Sequence, residues 1–538
     1  MKRIVALLLA VLMCASVFAG CGNQTTEETK GTTAKNEAPV VTEAQTEAPE
    51  EFSYPTSGSL TFWQWANGNV TANYASFRET PAAGYVKEAT GIDINWIDDH
   101  SNTDEAFQLM TTSDKLPDLI GTGWGGYNGG PAGAYEDGLA IKLNDVIDQY
   151  MPNFKAFMEA NPEMAKDICD DNGDIYYIPQ INADTGLYTN GSYLRTDMLE
   201  KVGMEMPTTL DGFHDLFVAV KEELGVTPYT TTWSDLLGWS FISWAYGIGN
   251  TEYVVDDNGN AVYNRTSENY KEFLQTLNAW YEEGLIDADI ATIASADARA
   301  KVINGEAFAS QGWLGSGIQP VAQASDEWDI QAIATPALTE GGKATDTYRD
   351  YNVTNNGVVI SPDCENVELA ARYLDYWFSE EGILLASFGK EGVDYTMVDG
   401  VPTFTDDVIV NIPDGWTQSQ SIASVNLVSN NYNASVKHDA YYPSTIVADA
   451  CKEAIEIWSN VGGTAHKWPK TSYTSDESTE MARYSTNLTT TANEWAMNFV
   501  IGAVSFDQWD TYIAEMEALG ANEALAINQA ALERYNAR

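Results

Sequence analysis

At 538 residues with 44% hydrophobic and 20% charged residues, the chain is long enough for more than one core and ordinary in composition for a globular protein. The charge is not ordinary: 78 Asp and Glu against 28 Lys and Arg give a net −50, which argues against nucleic acid as a partner and, less strongly, against polyanionic sugars. Cys21, Cys169, Cys364 and Cys451 form no CxxC pair, His100, His214, His438 and His466 form no HExxH, and no GxSxG occurs, so the patterns of zinc, iron–sulfur and hydrolase-elbow sites are missing.

Met1-Lys2-Arg3 supplies a positive start and residues 4–18 an almost unbroken apolar run, shorter than the roughly 20 residues a membrane span needs. Val17-Phe18-Ala19-Gly20-Cys21 then places small residues before a cysteine, so residues 1–20 read as a cleavable export signal and Cys21 as a lipidation site. Several acyl chains on Cys21, at about 0.8 kcal/mol per buried methylene, would hold the mature protein on a membrane without crossing it. Residues 21–55 are dominated by Thr, Glu, Ala, Gln and Pro and read as a disordered tether.

The folded part opens β-α-β. Leu60, Phe62 and Gln64 alternate with Thr61, Trp63 and Trp65, a helix ends at Thr90-Gly91, and Ile92, Ile94 and Trp96 alternate with Asp93 and Asn95. A helix over 103–113 leads to a short apolar strand, Leu116-Pro117-Asp118-Leu119-Ile120-Gly121. Parallel crossovers bind ligands beyond the carboxyl ends of their strands, which predicts Trp63, Trp65 and Trp124 on one rim. Helical stripes follow at Phe213, Leu216, Phe217, Val220 and Leu224 before Gly225, and at Phe273, Leu274, Leu277, Trp280 and Tyr281 before Gly284. Ser505-Phe506-Asp507-Gln508 reads as a capping box ahead of a helix carrying Trp509, Ile513 and Met516 and ending at Gly520.

Two loop signals are discounted. Gly121-Thr122-Gly123-Trp124-Gly125-Gly126 fits GxGxxG, but Tyr127-Asn128-Gly129-Gly130-Pro131 is not expected to start the helix that would hold a pyrophosphate. Asp170-Asp171-Asn172-Gly173-Asp174 and Asp256-Asp257-Asn258-Gly259-Asn260 resemble calcium loops, yet neither has glycine sixth and glutamate twelfth, and turns are the expected reading.

An ordered set of segments resembles extracellular solute-binding proteins of family 1, in the branch of large sugar-binding lipoproteins that serve ABC transporters. It comprises Leu116-Pro117-Asp118-Leu119-Ile120, Asp171-Asn172-Gly173-Asp174-Ile175-Tyr176-Tyr177-Ile178-Pro179, Tyr193-Leu194-Arg195-Thr196-Asp197-Met198 with Pro207-Thr208-Thr209, Ala279-Trp280-Tyr281-Glu282-Glu283-Gly284, Gly392-Val393-Asp394-Tyr395-Thr396, and the helices through Arg534-Tyr535. Gly212 departs from the family, where relatives often place an acid.

The resemblance implies an α/β, two-lobed periplasmic-binding-protein-like fold of type II with the ligand cleft between lobes. Crossings are expected near Ile181, near Asp346 and around Gly400, giving a first lobe of 56–182 and 346–400 and a second of 183–345 and 401–538. It further implies a non-enzymatic, monomeric protein with no cofactor and no metal, lipid-anchored outside the membrane of a Gram-positive cell, which passes a carbohydrate, an oligosaccharide, to ABC permease subunits. Sugar recognition needs flat apolar faces beside polar groups, and a ring face burying roughly 50 Å² gains only about 1 kcal/mol, so several aromatics must act together. The chain has 16 Trp, several in loops rich in Gly, Asn and Asp; Trp63, Trp124 and Trp313 line the cleft by resemblance, and Trp65, Asn67, Trp239 and Trp416 join them as candidates. A surface glycoside hydrolase, given the abundance of carboxylates, and a non-transport glycan adhesin stay open as alternatives.

Overall fold

The computed structural model describes residues 52–538, apart from 66, 99–102, 183–187, 345–349, 431–432 and 461–465. Cys21, the signal and tether expected over residues 1–51, His100 and the crossing expected at Asp346 lie outside the described residues.

Strands in chain order are β1 (Gly58–Gln64), β2 (Ile92–Ile97), β3 (Leu119–Gly123), β4 (Ile178–Ile181), β5 (Asn190–Arg195), β6 (Thr227–Tyr229), β7 (Tyr253–Val255), β8 (Ala261–Tyr263), β9 (Ala307–Trp313), β10 (Ile330–Ala332), β11 (Val353–Ile360), β12 (Tyr395–Val398), β13 (Val401–Phe404) and β14 (Ser435–Val436). A six-stranded sheet runs β14-β4-β11-β3-β1-β2 and a four-stranded one β10-β5-β9-β6. Two sheets, each with its own core and helices, make the fold α/β and two-lobed. β1 is parallel to β2 and β3, with Phe62 opposite Leu119 and Trp63 opposite Ile120, and β11 runs antiparallel between β3 and β4. The carboxyl ends of β1, β3, β4 and β14 therefore share one edge of the sheet.

The expected opening is present: the 81–90 helix stops at Gly91 in the left-handed conformation, and a second helix spans Thr103–Thr111. The Leu210–Ala219 helix runs on through a π turn to Gly225, which is also left-handed. Thr209 caps it by accepting from the Gly212 amide at 3.1 Å, so the departure at Gly212 leaves the cap intact. The capping box at Ser505 is not formed: Ser505 caps only a short 3-10 turn, and Gly520, besides following the Trp509–Ala518 helix, is the N-cap of Ala521–Ala537. Gly130–Glu136 is helical, contrary to expectation, because Pro131 falls in the first turn, where its missing amide costs nothing.

The largest correction concerns residues 401–441. Phe404, Val408, Ile422, Leu427, Val428, Ala434 and Tyr441 pack with Leu60, Phe62, Ile178 and Val358 in the core of the first sheet, so this stretch does not belong with the second lobe. The crossing expected around Gly400 is instead the tip of the β12–β13 hairpin, with Asp399 at φ 51° and Gly400 at φ 82°. The chain reaches the second sheet later, where Cys451, Ala454 and Trp458 of the Asp449–Ser459 helix pack with Tyr193, Ala307 and Leu314. That helix lies so close to β5 that a Cβ on Gly191 would meet the Trp458 ring at 2.3 Å.

Candidate functional site

Trp63 and Trp124 prove to be core residues. Strand alternation places Phe62 on one face of the first sheet and Trp63 on the other, and both faces of this largely parallel sheet are covered. Trp63 is 2% exposed against Phe107, ring centroids 5.3 Å apart, and Trp124 is 0% exposed with its indole N–H donated to the Gly357 carbonyl at 3.1 Å. Neither offers a ring face to a ligand in this conformation. Asn67 likewise acts locally: its carbonyl oxygen caps the Gly68–Thr71 turn through the Asn69 amide, and its Nδ2 donates to the Ser429 carbonyl at 2.7 Å.

The other tryptophans lie nearer the surface. Trp65, half-buried, follows the end of β1 and packs on the Trp63–Trp124 cluster. Trp416 is half-buried with its ring edge-on to Tyr74, centroids 5.7 Å apart. On the second lobe, Trp313 at the end of β9 is 44% exposed, and its ring stands 5.5 Å from that of the half-buried Trp239 at an interplanar angle of 55°. β5 and β9 are antiparallel, with Asn190 opposite Trp313, so this pair sits at the edge where β5 begins.

Polar groups collect at the same two edges. On the second sheet, Gln311 donates to the Asn190 side chain and accepts from Ser192 at 2.6 Å, and Ser192 contacts the Tyr229 hydroxyl at 3.1 Å. On the first, Gln64 donates to Asp98 and accepts from Asn433, and the side-chain nitrogen and oxygen of buried Asn430, with the side-chain oxygen of Asn182, have no hydrogen-bond partner among the described residues. The edges meet at Gln319, whose amide donates to Gln418 at 2.6 Å and accepts from the Val447 amide at 2.8 Å. Gln319 follows Trp313 by one short turn and Gln418 follows Trp416 by two residues, so this hydrogen bond joins the segments that come after the two tryptophans.

A cavity of about 720 Å³, within the few-hundred to thousand Å³ range of small-molecule sites, opens between the 124–132 loop and Tyr177 of the first lobe and Tyr253, Trp468 and Met481 of the second. Lys470, half-buried at its wall, donates to the Val353 carbonyl at 2.8 Å, and removal from solvent pushes its ammonium down to about 8. Burial raises the Asp167 carboxyl above its usual range, although Tyr535 donates to it at 2.7 Å. In the turn 170–174, Asp170 accepts from the Asn172 and Asp174 amides, both at 2.8 Å, and Asp256 does the same in its own loop. These first-turn acids are thus held by backbone amides, as turn chemistry expects.

Of the amide residues, sequence points only to Asn67. The Asn-rich run 430–433 was the available signal, but asparagine is equally a turn residue.

A family model described as bacterial extracellular solute-binding protein matches residues 67–383. The fructooligosaccharide ABC transporter substrate-binding protein FusA of Streptococcus pneumoniae is 22% identical over 485 residues, covering 84% of this chain and 86% of its own. Lipoprotein LipO of Bacillus subtilis is 27% identical over 350 residues, 60% of this chain and 66% of its own. A solved extracellular solute-binding protein from Bifidobacterium longum subsp. infantis superposes with a TM-score of 0.73 at 17% identity, covering 90% of this chain and 100% of that one. With its family match spanning more than half the sequence, the chain belongs to the bacterial extracellular solute-binding proteins.

Proposed function

We propose that the protein captures an oligosaccharide between its lobes and delivers it to an ABC importer, held at the outer face of the cell membrane by lipid on Cys21. The observation that carries this reading is the Trp239–Trp313 pair, a partly exposed aromatic ledge beside the Asn190–Gln311–Ser192 network at the edge where the second lobe meets the first. Aromatic faces next to amide groups suit the two chemistries of a pyranose or furanose ring, its C–H side and its hydroxyls. Trp65 and Trp416, both half-buried, supply further aromatic faces from the first lobe. The lobes of this reading are 53–182 with 350–445, and 188–344 with 449–538. The streptococcal relative's fructooligosaccharide specificity and the lipoprotein name of the bacillar one support the class of ligand and the anchor.

Recognition in this scheme requires closure and release but no bond breaking, so the protein is no enzyme and returns its sugar unchanged. A thermal-shift screen over neutral oligosaccharides, fructans included, tests the reading: a ligand binding only the folded state raises stability by about 2.7 kcal/mol at a hundredfold excess over Kd. No shift with any neutral oligosaccharide, or a shortened sugar recovered after incubation, overturns it.

A further inference from the structure

Nine large apolar side chains are strongly exposed among the described residues, and five of them fall within eighteen consecutive positions: Val393, Met397, Val398, Val401 and Val410, each 45–59% exposed. The β12–β13 register places Val398 opposite Val401 at the tip, next to the Asp399-Gly400 turn. Tyr395 and Phe404, at the base, anchor the hairpin in the core by packing on Phe388, centroids 5.4 and 5.1 Å away. Thr405 donates its amide to the Asp394 carbonyl at 2.9 Å, closing the base of the hairpin, and the Asp406–Ile409 turn that follows leads to Val410. The hairpin is thus a rigidly rooted projection with apolar side chains at its tip and along its base. Isolated exposed valines are unremarkable on a protein surface, but such a concentration marks a contact surface.

Charge selects the partner. From 391 to 415 the chain has six acids, Glu391, Asp394, Asp399, Asp406, Asp407 and Asp414, and no Lys, Arg or His. The neighbouring Lys390 is paired with Glu88 at 2.7 Å. A second copy of this chain, itself at net −50, would set acid rim against acid rim, and an anionic lipid surface would be repelled in the same way. What fits is an apolar recess rimmed by Lys and Arg.

Building on the delivery function proposed above, we infer that the β12–β13 hairpin with Val410 is the first lobe's docking surface for the membrane-spanning subunits of the importer, inserting Met397, Val398 and Val401 into an apolar recess with a basic rim.

The test places a photo-crosslinking amino acid at position 398 or 401 of the full-length chain, with exposed Leu109 and Ile501 as control positions, in membrane vesicles that carry the native importer; adducts are identified by mass spectrometry. Adducts with the polytopic subunit from 398 and 401, falling about tenfold as ionic strength is raised to shorten the screening length, are the expected result. Importer adducts only from the control positions, or adducts from 398 and 401 only with lipid or with a second copy, overturn the docking surface and leave delivery standing. An importer adduct from 398 that is indifferent to salt overturns the basic rim. Importer adducts from no position at all remove delivery itself, and docking with it.

Discussion

Arg538 and Asp171 form an ion pair at 2.6 Å that fastens the end of the 521–537 helix, rooted in the second core, to the 170–174 turn of the first. Arg534 reaches the same carboxylate at 2.6 Å and also pairs with Glu477. Burial alone would raise the Asp171 carboxyl, but hydrogen bonds from Arg534 and Arg538 outweigh it and hold it below its ordinary 3.8. Asp171→Asn leaves two guanidinium groups short of a partner and should cost on the order of 2 kcal/mol at neutral pH. A depressed pKa contributes stability that is present above the unfolded value and lost as pH falls through the folded one. The gap between wild type and Asp171→Asn in thermal melts should therefore be constant at neutral pH and close only below about 3.8. A gap that stays open in stronger acid would mean that the residue acts through packing.

Asp375 gives the opposite slope. Burial pushes its carboxyl up to about 6, against the hydrogen bonds it accepts from the Phe154 amide and Asn153, both at 2.8 Å. A raised pKa favours folding below the unfolded value of 3.8, and that advantage fades as pH rises through about 6. Asp375→Asn, which cannot ionise, should lose this decline in stability, amounting to up to about 3 kcal/mol between pH 4 and 7, at one pKa unit per 1.36 kcal/mol. Melts of both proteins across that interval check it; parallel curves would assign the slope to another group.

Much of the architecture was legible because local rules act on the chain directly. The β-α-β opening, the left-handed glycines at 91 and 225 and the apolar stripes of the 210–224 and 268–282 helices all follow from spacing and capping. The site was less legible for a physical reason: a tryptophan at the carboxyl end of a strand can point to either covered face of the sheet or to the cleft, and sequence does not distinguish these. Trp63 and Trp124 went to the core, whereas Trp313, at the end of an analogous strand, stayed at the surface. The hairpin at 395–404 stands where the resemblance implies a crossing between lobes, because family likeness carries over no exact crossing point and an Asp-Gly turn marks a reversal of the chain without fixing the lobe it returns to. The polar edge depends on amides such as Gln311 and Asn430, whose roles arise only from partners more than a hundred residues away or from a missing one.

Anchoring is separable from recognition. If lipid on Cys21 holds the protein as proposed, Cys21→Ala should release it from membranes while leaving its sugar affinity unchanged, since Cys21 precedes the folded body that begins near residue 53. Membrane fractionation with mass spectrometry of the mature N-terminus checks the first half and calorimetry the second. An unmodified residue 21 in the native protein would remove the anchor from the scheme.

Two tryptophan substitutions, taken together, separate the sugar ledge from the core. Trp313 is 44% exposed and packs on Trp239, so Trp313→Ala should cost less stability than the loss of a fully buried tryptophan. If a sugar ring stacks there, the same change weakens binding by about 1–3 kcal/mol, or roughly five- to 150-fold in Kd. Trp124 is fully buried, holds the Gly357 carbonyl through its N–H and packs edge-on to Tyr127 at 5.8 Å. Trp124→Ala opens a cavity and strands an acceptor, which should destabilise the first lobe by about 3–5 kcal/mol. Its effect on affinity, measured well below the melting transition, should be smaller than that of Trp313→Ala, because its side chain is fully buried. Calorimetric titration and thermal melts on both variants decide the matter. Loss of affinity in Trp124→Ala with stability intact would move the binding surface to the first lobe, and unchanged affinity in Trp313→Ala would remove the ledge from the site.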